Sequence, residues 1–330
     1  MVEPERAVLV SALESALTLQ YTCAMLVEQD VCAAVDLTQE HLMMDDVFAR
    51  AETFIWNNAR LLERQRFAFH FKNGSRASVL AALSAYQNAD GGFGHALEPD
   101  IRCPESQPVP TQHALEFLDA VGFELEIVRR VYDYLITITI DEGGVPWLFP
   151  SAHDYPRAPW WNAAEPPTAS LNPTAVIAAL LHKNRVDHGW LERATAYCWK
   201  KIDGLQPTDM HEMGVVLEFL YHVPDRERAE SALSHLAEQL FASGLVADAK
   251  ATGYVRKPLD WAPTPQHPLR KYMREADVQA HLDQILASQE ADGGWPIPWT
   301  AISASCELEW RGWITLGVLL TLRDNGRLTF

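Results

Sequence analysis

Apolar residues recur at every third or fourth position along most of this chain, whereas the strict alternation expected of strands is almost absent. The clearest stretch covers residues 45–71, where Val47, Phe54 and Leu62 fall on one face and predict one long helix. The same periodicity predicts helices at residues 75–86, 111–121, 125–139, 174–182, 191–202, 210–221, 226–242, 273–288 and 308–323. The chain is therefore predicted to be all-α.

Two of the predicted loops carry nearly the same seven residues. Residues 87–93 read Gln-Asn-Ala-Asp-Gly-Gly-Phe and residues 289–295 read Gln-Glu-Ala-Asp-Gly-Gly-Trp, so five positions are identical and the last is aromatic in both. The glycine pair ends the preceding helix, because glycine adopts the left-handed conformation that other residues resist. This recurrence predicts a repeat architecture, in which Gln87 and Gln289 bond equivalently to the backbone of neighbouring helix ends.

The motif Gln-x-x-Asp-Gly-Gly-aromatic resembles the repeat of squalene-hopene cyclases, oxidosqualene cyclases and protein prenyltransferase β-subunits. Residues 289–295 match it closely, and residues 87–93 match it with Phe in place of Trp. The resemblance to this terpenoid cyclase and prenyltransferase superfamily implies an α/α toroid, a ring of helical hairpins braced by the repeat. It implies a fold and leaves the reaction open.

The N-terminal residues have a different character. Residues 7–27 are apolar and rich in Ala and Leu, but they contain Glu14, follow Glu3 and Glu5, and lack a basic start. They therefore make a poor signal peptide and a poor membrane span. Residues 1–42 are predicted to be an extension, either one more helix packed on the toroid or a poorly ordered segment. Residues 43–330 are predicted to form one toroid domain, because no linker interrupts them.

Composition narrows the range of partners. With 27 Lys and Arg against 44 Asp and Glu, the formal charge of the 330 residues is −17. This acidity argues against binding to nucleic acid or to anionic membranes. The five cysteines have no paired spacing, which favours a reduced, cytoplasmic protein and leaves the oligomeric state open. They are Cys23, Cys32, Cys103, Cys198 and Cys306.

Long loops rich in Pro and Trp precede several of the predicted helices, at residues 91–110, 141–171, 244–269 and 293–305. Ordered loops of this length inside one domain are usually functional, so the ligand site is expected where they meet. The aromatic residues in these loops and in the predicted helix after the last of them predict a pocket that could stabilise carbocations or stack on sugar rings. These residues are Trp160, Trp161, Trp261, Trp295, Trp299, Trp310 and Trp313, beside Tyr155 and Tyr254.

Three charged residues stand close together in the first long loop. Pro99 and Pro104 favour extended backbone, in which Glu98, Asp100 and Arg102 project to the same side. Two close carboxylates can share a proton, so an acid/base pair is one interpretation and a salt-bridged structural loop is the other. The predicted catalytic residues are these three. The predicted substrate-binding residues are His95, Trp160, Trp161, Trp261, Trp295 and Trp310.

The acid motif of the class II cyclases is absent from this chain. They protonate an alkene with Asp-x-Asp-Asp, but residues 170–175 read Ser-Leu-Asn-Pro-Thr-Ala here. The zinc-binding Asp-x-Cys of prenyltransferases occurs only at residues 30–32, in the predicted extension. No His-x₃-His or Cys-x₂-Cys spacing occurs, so no metal and no cofactor is expected.

Acidic residues at two predicted helix starts have structural interpretations. Glu212 follows Asp209 at the spacing of a capping box. Glu307 and Glu309 fall near the start of the last helix, where negative charge suits the helix dipole.

Three functions fit these observations. The first is an enzyme or binding protein for an isoprenoid-like hydrophobic small molecule, with Glu98 or Asp100 as the acid. The second is a carbohydrate-active toroid, a hydrolase or a lyase, that uses paired carboxylates and aromatic platforms. The third is a non-catalytic binding protein on the same fold. Pocket polarity separates the first two, because an isoprenoid site should be almost entirely apolar.

Overall fold

A computed structural model describes residues 46–328 and shows an all-helical chain. Within that range there are isolated bridges between extended residues but no strand. Predicted residues 1–42, with Cys23 and Cys32, lie outside the described part. The helices are α1 (46–58), α2 (Leu61–Phe71), α3 (Arg76–Ser84), α4 (Pro108–Val121), α5 (Leu125–Ile138), α6 (Leu171–Lys183), α7 (Gly189–Ile202), α8 (Met210–His222), α9 (Arg226–Ser243), α10 (Pro258–Trp261), α11 (Glu275–Ala287) and α12 (Ala304–Asp324), with 3₁₀ turns at Pro150–Asp154 and Pro268–Tyr272.

The helices alternate between two layers, as a toroid of hairpins requires. In the inner layer α4 packs on α6, α6 on α8, and α12 on α2. Helix α6 is buried along almost its whole length, whereas outer helix α5 leaves Leu125 and Ile136 77% and 56% exposed. The inner ring thus contains α2, α4, α6, α8 and α12, and the odd-numbered helices form the outer ring. The predicted all-α, α/α toroid fold is confirmed.

The two glutamines of the repeat brace neighbouring helices in the same way. The Nε2 amide of Gln87 donates to the carbonyl four residues ahead at 3.0 Å and to Ile127 O in α5 at 3.4 Å. The amide of Gln289 donates to the carbonyl four residues ahead at 2.9 Å and to Val47 O in α1 at 2.9 Å. The predicted equivalence of the two side chains is confirmed.

The aromatic position of each repeat is tied to the next inner helix. The N–H of Phe93 donates to Thr111 Oγ1 in α4 at 3.0 Å, and the N–H of Trp295 donates to Thr315 Oγ1 in α12 at 3.1 Å. Each repeat therefore fixes three helices, which are the outer helix it ends, the next outer helix, and the inner helix that follows it.

A third copy of the repeat occupies residues 139–145, and the sequence comparison missed it. Gly143 has φ +99°, and the N–H of Val145 donates to Thr174 Oγ1 in α6 at 3.0 Å. Thr139 replaces the glutamine and accepts from Trp190 Nε1 in α7 at 2.7 Å. In sequence, this copy shares only the glycine pair with the other two, and it is recognised by the geometry of its hydrogen bonds.

The last repeat closes the ring. Besides the bond from Gln289 to Val47, the guanidinium of Arg50 in α1 donates to Glu290 O at 2.5 Å. The first and last described outer helices are therefore joined by the same device that joins α3 to α5. A shared core of α1, α11 and α12 residues lies beneath this junction.

The single helix predicted over residues 45–71 is wrong, because the chain breaks between α1 and α2. Arg60 is extended (φ −62°, ψ 160°) and begins α2. The Nε of Arg64 donates to Ala59 O at 2.8 Å, and Asn58 Nδ2 donates to Phe54 O at 3.2 Å. The side chain of Arg64 thus supplies the partner that a continuous helix would have given the Ala59 carbonyl, and Asn58 adds a further bond to the last turn of α1. Both helices keep an apolar face, so the spacing of apolar residues continues across the break and does not predict it.

Other helix boundaries differ less. Helices α4 and α12 begin earlier than predicted, α4 because Pro108 and Pro110 fit its first turn. The short helix α10 was not predicted. Among the described residues no helix is long and apolar enough to cross a membrane. The described cysteines Cys103, Cys198 and Cys306 are buried free thiols.

Candidate functional site

The loop between α3 and α4 carries Glu98 and Asp100 into the protein on a tight turn. The N–H of Ile101 donates to Glu98 O at 3.0 Å, so the extended backbone predicted here is wrong. Both acidic residues are buried, with 3% and 2% of their surface exposed. Burial of two carboxyl groups is costly unless each has partners, so those partners define the site.

Glu98 belongs to a chain of three side chains on the inner face of α4. Its Oε2 lies 2.8 Å from His113 Nε2, and the other ring nitrogen, Nδ1, lies 2.9 Å from Glu116 Oε2. Gln112 Nε2 donates to the second oxygen of Glu116 at 2.8 Å. The imidazole therefore bridges two carboxylates.

This acid–histidine–acid chain is surrounded by protein but still reaches open space. The side chains of His113 and Glu116 are 15% and 34% exposed although α4 is an inner helix, so they face the interior of the ring. Burial opposes protonation of His113, but Glu116 and Glu98 outweigh it and raise the pKa to about 10. Burial opposes ionisation of Glu116, but His113 and Gln112 outweigh it and lower the pKa of that carboxyl.

Asp100 has a different environment from Glu116. Burial raises the pKa of Asp100, and the charge of nearby Glu98 raises it further. The thiol of Cys306, in the first turn of α12, donates to Asp100 Oδ1 at 3.1 Å. The Trp310 indole lies near enough to favour the ionised form, without a hydrogen bond of ordinary geometry. The interior therefore holds one carboxyl with a raised pKa and one with a lowered pKa.

Arg102 pairs with a residue that the sequence did not predict as functional. Both Nη groups of its guanidinium bind the carboxylate of Glu309 in α12, one of them at 3.2 Å. The charge of Arg102 lowers the pKa of Asp100, but burial and the charge of Glu98 act on that carboxyl more strongly. The interpretation of Glu309 as a simple helix-dipole residue is wrong, because its carboxylate clamps the loop to α12.

A second arginine fixes the loop from the other side. Arg60 Nη1 donates to Ala96 O at 2.9 Å and to Leu97 O at 3.0 Å. Its Nε and Nη2 bind both oxygens of Glu63 at 2.8 Å. The break between α1 and α2 thus positions the guanidinium that holds the turn of Glu98.

Four aromatic residues form a continuous row that leads to the acid–histidine–acid chain. The ring of Tyr254 lies 5.5 Å from that of Trp299, Trp299 lies 5.2 Å from Trp310, and Trp310 lies 5.3 Å from Trp313. Trp313 ends the row at His113, with ring centroids 4.9 Å apart. Tyr254 is 51% exposed, so this aromatic row runs from the surface to the acid–histidine–acid chain.

Of the predicted substrate-binding residues, Trp310 lies in the aromatic row. Trp295 does not, because its Nε1 donates to Ile285 O at 2.7 Å and its ring packs in the core of α1, α11 and α12. Trp161 stacks near Trp147, with centroids 4.8 Å apart, in a small core under the Glu98 loop. Both rings pack in hydrophobic cores and neither contacts the aromatic row among the described residues, so their substrate-binding role stays a prediction. Trp261 is buried below the guanidinium of Arg256, 5.1 Å from its ring centroid.

The other two predicted substrate-binding residues, Trp160 and His95, lie elsewhere on the molecule. Trp160 is 45% exposed and makes no ring contact with the aromatic row among the described residues. His95 has φ +54°, and its Nε2 lies 2.9 Å from Asn88 Oδ1. It lines a groove of about 550 Å³ between α2 and α3 with Leu61 and Tyr86. That groove has no carboxylate in its lining, so the ring interior is the stronger candidate site.

Sequence reasoning missed His113 and Glu116. They stand three positions apart on one face of the helix that follows the first repeat, and that spacing was the available signal. Nothing local distinguishes them from other charged helix residues until Glu98 is brought against them. Across residues 46–328 no three His, Cys, Asp or Glu side chains converge as a metal site would require.

The chain is similar in fold to a protein from Actinoplanes of known crystal structure. That match has a TM-score of 0.51 and 17% identity, over 85% of this chain and 89% of that chain. Two structures of glycosidase variants, one in complex with glucose, match with TM-scores of 0.41 and 13% identity, over 82% of this chain and 98% of theirs. By sequence, no family model and no curated protein matches. The first likeness concerns the fold alone, and the other two are too distant to bear on activity.

Proposed function

We propose that this protein is a carbohydrate-active enzyme that binds a sugar in the interior of the ring and hydrolyses a glycosidic bond. The observation that carries the proposal is the composition of the inner wall. A row of four aromatic rings ends at a cluster of carboxylates, histidine and arginine. Sugar sites combine aromatic platforms with charged groups that hydrogen-bond hydroxyls.

Two carboxyl groups whose pKa values are shifted in opposite directions supply the acid and the base. Asp100, whose pKa is raised, donates a proton to the glycosidic oxygen as its bond to the anomeric carbon breaks. Glu116, whose pKa is lowered, takes a proton from the attacking water. His113 holds Glu116 in its ionised form and in position, and Glu98 holds His113.

The polarity of the wall disfavours the isoprenoid function expected from the repeat. Such a site needs apolar surroundings, whereas Glu98, Asp100, Glu116 and Glu309 all lie in or beside the loop and helices at the inner end of the aromatic row. The resemblance to terpenoid cyclases and prenyltransferases stays a prediction of ancestry. A non-catalytic sugar-binding protein is the alternative that the wall also accommodates.

A panel of aryl glycosides and polysaccharides tests the proposal, with release of reducing ends as the readout. Glu116→Gln and Asp100→Asn should each lower turnover by about 10²–10⁴-fold, the usual loss for a general acid or base. The control is Glu126→Gln, an exposed carboxylate on outer helix α5 that should leave turnover unchanged. Sugar binding without turnover by the parent protein would favour the non-catalytic alternative.

A further inference from the structure

The first turn of α12 places the thiol of Cys306 against the loop that carries Asp100. Ser303 caps this helix, and its Oγ accepts from the N–H of Cys306 at 3.1 Å. The sulfur of Cys306 lies 3.1 Å from Asp100 Oδ1 and 3.4 Å from Pro99 O. Cys306 is fully buried and Asp100 is 2% exposed, so this contact is made out of reach of bulk water.

The thiol has one proton and two acceptors within reach. Burial and the neighbouring Asp100 raise the pKa of Cys306 to about 12, so the sulfur keeps its proton near neutral pH. A single S–H group donates one hydrogen bond at a time. It can therefore turn towards Asp100 when that carboxyl is ionised, and towards Pro99 O when the carboxyl carries a proton. This turn about the Cβ–Sγ bond moves only the thiol proton.

A general acid has to exist in two protonation states during each turnover. In the proposed hydrolysis Asp100 gives its proton to the glycosidic oxygen and becomes a carboxylate. Before the next turnover it regains a proton from solvent, to which Glu116 returns the proton that it took from the attacking water.

The thiol stabilises the ionised form of Asp100. Burial and the charge of Glu98 raise the pKa of that carboxyl, because both disfavour its negative charge. The hydrogen bond from Cys306 lowers the pKa, and among the groups that do so it has the largest effect, ahead of Trp310 and Arg102. A hydrogen bond to an ionised acceptor is stronger than one to a neutral acceptor. The thiol therefore limits how far the pKa of Asp100 rises.

Other side chains near this carboxyl are engaged elsewhere. The charged and titratable groups that act on Asp100, or belong to segments packed against its loop, are Glu98, Arg102, Glu309, Arg157 and Tyr254. Glu98 binds His113, and Arg102 binds Glu309. Arg157 donates to two backbone carbonyl oxygens, and the hydroxyl of Tyr254 lies 3.1 Å from His211 Nε2. Among the described residues, only the Cys306 thiol makes a side-chain hydrogen bond to the Asp100 carboxyl.

We propose that Cys306 is a positioning residue for the acid of the proposed reaction, and that its thiol holds Asp100 in place in both the protonated and the ionised state of the carboxyl. The inference rests on the proposed function, in which Asp100 is the proton donor. Because Cys306 is fully buried, it acts on the reaction only through Asp100.

The pH profile of kcat/KM for a glycoside tests this role, since its alkaline limb reports the loss of the proton from the acid. Cys306→Ala removes the donor, so it should raise the pKa of Asp100 and move the alkaline limb to higher pH. The shift should be about 0.5–1 pH unit, as loss of one hydrogen bond to a charged group allows. Cys306→Val, which fills the space without a donor, should move the limb in the same direction.

Two further variants show whether the donor or the packing is responsible. Cys306→Ser keeps a hydrogen-bond donor and should bring the limb back to the parent position or below it. Cys198→Ala is the matched control, because Cys198 is another buried thiol and has no described carboxylate as a hydrogen-bond partner. It should leave the alkaline limb unchanged.

Thermal stability gives a second readout that needs no substrate. Because folding raises the pKa of Asp100, the stability that this group contributes is lost as the pH rises through the folded-state pKa. Cys306→Ala should deepen that loss, since the carboxylate loses its donor. The Tm difference between the parent and Cys306→Ala should therefore be larger at about pH 8 than at about pH 4. The corresponding difference for Cys198→Ala should be the same at both.

Failure of this inference and failure of the proposed function give different results. Hydrolysis with the same alkaline limb in the parent, Cys306→Ala and Cys306→Val would overturn the role of the thiol and leave the proposed function standing. A Tm difference that grows with pH, in a protein that hydrolyses no glycoside, would support the link between thiol and carboxyl and reject the hydrolysis. A Tm difference independent of pH, together with absence of turnover, would overturn both.

Discussion

His113 shows how a single residue can hold two separate parts of a site in place. Its two ring nitrogens lie 2.8 and 2.9 Å from carboxylates on different parts of the chain, the α3–α4 loop and α4. The imidazole can satisfy both only when both nitrogens carry protons. Its charge therefore fixes the rotamer of Glu116 and the position of the Glu98 turn together. This double attachment makes His113 a positioning residue.

The pH dependence of stability should reveal this role. The pKa of His113 is raised from 6.5 to about 10 in the folded protein. Its contribution to stability is therefore fully present below about pH 6.5 and is lost as the pH rises towards 10. His113→Gln should destabilise the fold by about 3 kcal/mol at pH 6, because two buried carboxylates lose their cation. The difference in Tm from the parent should shrink as the pH approaches 10.

Thermal melts of the parent, His113→Gln, Glu98→Gln and the double variant between pH 6 and 10 provide the measurement. The double variant removes both charges together, so its comparison with the two single variants gives the interaction energy between His113 and Glu98. A gap between parent and His113→Gln that stays constant across this range would contradict the raised pKa.

At the scale of elements, the glycine-pair loop is the unit that repeats. In each copy the first glycine has positive φ and packs against the carbonyl of an arginine in the next outer helix. An added Cβ would lie 1.9 Å from Arg130 O at Gly91, 2.7 Å from Arg193 O at Gly143, and 2.2 Å from Arg50 O at Gly293. The close approach of two backbones, and not the turn alone, requires glycine at these positions.

Alanine at Gly143 tests whether the third copy is equivalent to the others. Gly143→Ala combines an unfavourable φ with a backbone clash, so it should destabilise the protein by about 3 kcal/mol. The matched control is Gly204→Ala, at φ +85° with no atom within 4 Å of the added Cβ, which should cost about 1 kcal/mol. Urea midpoints measure both variants. Equal losses would mean that the contact with α7 does not matter and that only the turn does.

At the scale of the whole molecule, closure of the ring depends on contacts between the two ends of the described chain. Gln289 and Val47 are 242 positions apart in sequence, yet they share a 2.9 Å hydrogen bond. The corresponding bond of Gln87 spans only 40 positions. The same local motif therefore has different consequences. The copy with Gln87 joins helices that are close in sequence, and the copy with Gln289 joins the two ends of the described chain.

Loss of the closing bond should be visible far from the substitution in sequence. Gln289→Ala removes both hydrogen bonds of the side-chain amide and should cost about 1–2 kcal/mol. It should increase amide hydrogen exchange both at the end of α11 and in α1, because both lose the same brace. Gln87→Ala is the matched control, and its faster exchange should be confined to α3 and α5. Unchanged exchange in α1 for Gln289→Ala would show that the apolar core alone closes the ring.

Local spacing and glycine conformation were enough to predict most of the helices, their approximate limits and the two clear repeats, but neither the break between α1 and α2 nor the short helix α10. The toroid followed from those repeats. The fold alone placed Glu98 against His113 and Arg102 against Glu309. Those partners lie on different helices and loops, and the fold brings them together. For the same reason Trp295 proved to be a brace and Trp310 part of the aromatic row. In sequence both are tryptophans near one loop, and only packing separates their surroundings.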